Sequence, residues 1–81
     1  MKNTFFIHNN SSNATMIILE PEGFCFHLIP DEKISILDSS VIDPVTIRID
    51  TNQTGACILS IWPGDGDVRV EKNGIDVFDI I

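Results

Sequence analysis

The chain has 81 residues and 9.0 kDa, room for one domain, and 12 acidic against 5 basic residues give a formal charge of −7 with a pI near 4.3. That balance excludes a nucleic-acid binder, which needs a basic stripe to displace counterions, whereas the five basic residues here are scattered. No uninterrupted apolar run exceeds four residues, the length of Met16–Leu19, which excludes a membrane-crossing helix of roughly 20.

Fourteen Ile and five Val stand against four Leu and two Ala, so β-branched residues dominate and good helix formers are scarce. Turn clusters cut the chain at regular intervals. Between them the pattern predicts about eight short strands: Thr4–His8, Thr15–Glu20, Phe24–Ile29, Lys33–Asp38, Val45–Asp50, Cys57–Trp62, Val68–Lys72 and Ile75–Ile80. Val45, Ile47 and Ile49 alternate with Thr46, Arg48 and Asp50, which predicts one buried and one solvated face. Asn73-Gly74 accepts the positive φ angles of a type I′ turn and predicts a two-residue hairpin. Met16–Leu19, Phe24–Ile29 and Cys57–Trp62 carry apolar residues on both faces, the mark of central strands or of a covered outer face.

The fold class expected is all-β, a single antiparallel β-sandwich or flattened barrel with essentially no α-helix, spanning 1–81 as one domain. No segment between the strands is long enough for a parallel crossover of a dozen residues. A few residues at the N-terminus are expected to fray, whereas Ile80-Ile81 is expected to tuck into the sheet or an interface. The first residues are too polar for a signal-peptide core, so a cytoplasmic location is expected, the two cysteines are expected as buried thiols, and the Asn-x-Ser/Thr matches read as turns.

Cys25 and His27 lie two apart and share a face, with His8 and Cys57 on neighbouring strands as further soft ligands for Zn²⁺ or copper. The CxxC and HxxxH spacings of zinc modules are absent. Asp65 and Asp67 in Pro63-Gly64-Asp65-Gly66-Asp67 offer hard oxygen atoms on a glycine turn. The remaining ligands of a calcium loop are missing. No metal or other cofactor is therefore expected, and Cys25, His27, Asp65 and Asp67 are the residues on which one would rest. The carboxylates fall mostly in turns, and neither a serine nucleophile elbow nor a phosphate-cradling loop is present, so no catalytic residue and no enzyme activity are expected.

Asn9-Asn10 and Ser12, Leu19-Glu20-Pro21-Glu22-Gly23, Pro30-Asp31-Glu32, Trp62-Pro63 and Asn73-Gly74 occur in an order that resembles a set of small bacterial all-β proteins of unknown function. In these a Leu-Glu-Pro-x-Gly turn precedes a Pro-Gly-Glu turn and an Asp-Gly hairpin closes the domain; here Asp31 replaces the Gly and Asn73 the Asp. The resemblance implies an all-β fold and a bacterial source, and it carries over no ligand or catalytic role.

The function expected is that of a non-enzymatic acidic interaction domain, working as a homo-oligomer or by docking a basic protein partner. Trp62, Phe6 and Ile29 are its candidate contact residues. The alternative is a small-molecule or metal-binding module using the Cys25/His27 face.

Overall fold

Alternation of branched apolar with polar residues decides which side of Lys33–Asp38 and Val68–Lys72 is buried, and the computed structural model, which describes residues 3–80, shows the result. The strands are β1 (Asn3–His8), β2 (Thr15–Leu19), β3 (Phe24–Leu28), β4 (Lys33–Asp38), β5 (Thr46–Thr51), β6 (Cys57–Trp62), β7 (Val68–Lys72) and β8 (Ile75–Asp76), followed by a 3-10 turn at Val77–Asp79. They form two four-stranded sheets, β1-β4-β7-β8 and β3-β2-β6-β5, a sandwich and not a closed barrel. Ile17, Leu19 and Leu28 of one sheet and Ile34, Ile36 and Val70 of the other meet in the core.

Five of the six strand pairings are antiparallel; β2 and β6 run parallel, Ile17 lying beside Leu59 and Leu19 beside Ile61. This corrects the expectation that no parallel crossover is available. The connection from β2 to β6 is not one long segment but runs through β3, across to β4 in the facing sheet, and back through β5. β2 and β6 are the central strands that their two apolar faces predict, whereas β3, which has the same composition, lies at an edge.

The hairpin at Asn73-Gly74 forms as expected, with φ of 54° and 79°. The last predicted strand is shortened to two residues because the Asp76 carboxylate accepts a hydrogen bond from the Phe78 amide and starts the 3-10 turn. That turn buries Val77 and leaves Ile80 exposed, so Ile80 is not tucked into the sheet. Ile81 and the N-terminal Met1 and Lys2 lie outside the described residues. Of the predicted buried face of β5, Val45 and Ile47 pack on the core while Ile49 remains exposed on this edge strand.

The two outer faces differ. That of the β1-β4-β7-β8 sheet is laced with charge, Arg69 pairing with Glu71 at 2.6 Å and with Asp76 at 3.8 Å. That of the other sheet carries Met16, Ile18 and Ile58, each half-buried on neighbouring strands.

Candidate functional site

The parallel β2/β6 pairing brings the C-terminal ends of these strands to one end of the sandwich, where segments 20–23, 39–45 and 63–67 emerge together. These segments hold Glu20, Glu22, Asp43, Asp65 and Asp67 and no basic residue. The Glu20 amide donates to the Ile61 carbonyl at 2.9 Å, the Asp65 amide to Asp43 at 2.9 Å and the Ser39 amide to Asp67 at 3.0 Å, so the segments are tied backbone to backbone.

Carboxylates complete the tie. Both Asp65 oxygens accept from backbone amides, Oδ1 from Val41 and Oδ2 from Ile42, each at 2.9 Å. These bonds, that from Ile42 foremost, hold the Asp65 carboxyl below the ordinary aspartate pKa. Asp38 is only 3 % exposed and accepts from the Ser40 hydroxyl at 2.6 Å, the Ser40 amide at 2.9 Å and the Val45 amide at 3.1 Å. The Ser40 hydroxyl contributes most to lowering its pKa. Val41 and Ile42 stand between these anchors, each 82 % exposed. Two branched apolar side chains thus project into water from a backbone fixed on both sides.

At the same end of the sandwich a cleft of about 370 Å³ opens between the two sheets. Leu19, Ile61, Val68 and Val70 contribute its apolar floor, Phe78 one wall, and Glu20, Glu22 and Asp67 its acidic rim. Phe78 is held by Phe24, the ring centroids lying 4.5 Å apart. Among the described residues none of the three rim carboxylates has a cationic partner. The described cations are engaged elsewhere: Arg48 with Asp50, Arg69 with Glu71 and Asp76, Lys72 with Glu32, and Lys33 above the Phe6 ring.

The sequence candidates disperse. Trp62, 41 % exposed, belongs to this end, on the outer face beside Pro63. Phe6, 61 % exposed, sits on the outer face of the facing sheet, and Ile29, 54 % exposed, follows β3 at the opposite end, its amide bound to Glu32. Cys25 and His27 do share the outer face of β3, since Phe24, Phe26 and Leu28 turn to the core side. Cys57 lies on the inward side of β6 beside Ile7 and Leu28, and His8 is bound to Asp31 at 3.0 Å, so the four soft ligands do not converge. Asp65 turns its carboxylate to amides and Asp67 contributes only backbone atoms to the tie. No group of three metal-ligating side chains is present among the described residues.

The cysteines also depart from the expected buried pair: Cys25 is exposed and Cys57 half-buried, both free. On an edge strand the larger aromatic side chains take the core side and leave the thiol outside. Cys25 should therefore react with a thiol-specific reagent at least tenfold faster than Cys57 in the folded protein, as followed by mass spectrometry of labelled peptides.

Val41, Ile42 and Phe78 were not predicted as functional residues. Two adjacent apolar residues inside a Ser-Ser-x-x-Asp-Pro turn, belonging to no strand, are the signal that points to the first two. Phe78 carries no comparable signal, because its position depends on where β8 ends. Comparison of the chain with protein-family models, with curated proteins and with solved structures found no match.

Proposed function

We propose that the protein is a non-enzymatic interaction domain that docks a basic protein partner on its acidic loop end, with Val41 and Ile42 entering apolar depressions on the partner. The supporting observation is the presentation of that pair. Exposing two large aliphatic side chains is unfavourable in water, and fixing their backbone in advance reduces the ordering cost of association. Five carboxylates with no basic residue in the same segments provide complementarity to a basic surface and speed the encounter. A contact between two copies through this end would instead oppose like charges. A cytoplasmic setting belongs to the same proposal, since free thiols suit a reducing compartment.

A photoactivatable benzophenone residue in place of Ile42, or in place of Gln53 at the opposite end, tests this in the native host. Position 42 is expected to yield one adduct, identified by mass spectrometry as a basic protein, and position 53 none. No adduct at 42, an adduct between two copies, or the same adduct from both positions would overturn the reading. Ile42→Ser should weaken binding to that partner at least tenfold while changing stability by no more than about 0.5 kcal/mol, the range for a surface substitution.

A further inference from the structure

We infer that the cleft between Phe78 and the Glu20, Glu22 and Asp67 rim receives an arginine side chain of the basic partner. The inference rests on the docking proposal and specifies the chemistry of a second feature of the same loop end. An occupant must match an apolar floor and an anionic mouth at once, because Leu19, Ile61, Val68 and Val70 offer only aliphatic surface while the rim offers three carboxylates.

Arginine has that division within one side chain. Its three-carbon stem buries against aliphatic groups while its cation stays at the mouth. The planar guanidinium is weakly hydrated, forks onto carboxylate oxygens and stacks on aromatic rings, three properties that a lysine ammonium lacks or has to a lesser degree. Phe78 is placed for the stacking: Phe24 fixes its ring, and it lines the same cleft as the carboxylates. An exposed phenylalanine already takes a cation elsewhere in the molecule, where Lys33 Nζ lies 5.2 Å from the Phe6 centroid. At the rim no cation of the described residues plays that part, so the negative potential of the cleft stays open to a partner.

The test is a backbone-amide NMR titration of the full chain with a five-residue capped peptide carrying one central arginine, beside matched peptides carrying citrulline or lysine. Citrulline keeps the shape of arginine and removes the charge. The arginine peptide is expected to shift the Val68, Asp67 and Phe78 amides saturably, with the citrulline peptide at least tenfold weaker and the lysine peptide at least threefold weaker. Glu22→Gln and Asp67→Asn, whose side chains make no hydrogen bond among the described residues, should each weaken the arginine peptide at least threefold and leave the melting temperature unchanged.

Absence of saturable shifts at the cleft, or equal binding of the citrulline or lysine peptide, would overturn the assignment. A silent cleft together with a basic adduct at position 42 removes the arginine and leaves the docking surface standing. A silent position 42 removes the docking surface whatever the cleft binds.

Discussion

Gly64→Ala should lower the melting temperature by roughly 12–24 °C, the equivalent of about 3 kcal/mol in a domain of this size. The reason is contact and not backbone conformation. A Cβ at this position would fall on the carbonyl oxygen of Asp43 and lie 2.6 Å from the Asp43 carbonyl carbon and 2.7 Å from that of Pro44. Two residues on, a Cβ at Gly66 would lie 2.6 Å from Ser39 C and Ser40 N. Both obstacles are backbone, which cannot rotate aside as a side-chain tip can, so the two segments must separate and lose the Asp65–Asp43 and Ser39–Asp67 hydrogen bonds with them. The comparison is Gly74→Ala, where the added Cβ meets nothing within 4 Å and only the positive φ of 79° is penalised, for a loss of about 1 kcal/mol. Thermal unfolding followed by circular dichroism reads both. Equal losses would mean that the close approach of the two segments does not hold the loop end together.

The strands were legible in the sequence because their information is local. Ile34 and Ile36 alternate with Lys33 and Ser35, and such a pattern fits only a half-buried strand. Asn73-Gly74 was legible for the same reason. The β2/β6 pairing was not, since neither strand records which neighbour it takes; that choice depends on how β3, β4 and β5 pass between the sheets. The candidate site follows from this non-local choice. It is the parallel pairing that gathers segments 20–23 and 63–67, and it is their union that forms a cleft which no single segment announces. Pro63-Gly64-Asp65-Gly66-Asp67 shows the difference in kind. The sequence marks it as glycine-rich and acidic, which suggests a cation loop, whereas the glycines serve a backbone contact and the Asp65 carboxylate serves two amides of another turn.

Asp38→Asn should lower the melting temperature at pH 7 by roughly 5 °C or more and have progressively less effect as the pH is taken below about 4. In the native protein both oxygens of Asp38 accept, Oδ1 from the Ser40 amide and hydroxyl and Oδ2 from the Val45 amide. The amide side chain of asparagine places an NH₂ group against one of these donors, and a protonated carboxyl does the same with its O–H. Acid and the substitution therefore disrupt the same contacts. The pKa of Asp38 is lowered by folding, as are those of Asp65, through the Ile42 and Val41 amides, and Glu32, chiefly through Lys72. A carboxylate lowered in this way binds fewer protons when folded than when unfolded, so its contribution is complete above the unfolded value, near 4, and is lost as the pH falls through the lower folded value. The contribution of these three carboxylates should thus be flat from pH 7 to about 5 and fall below that, with a shallower fall in Asp38→Asn because one of the three linked groups is gone. Asp65→Asn should behave alike and in addition release Val41 and Ile42, so that partner cross-linking from position 42 weakens at pH 7. Melting curves of the three proteins from pH 7 to pH 3 decide it: a constant difference between native and variant across that range would show that these carboxylates do not link proton binding to the closure of the loop end.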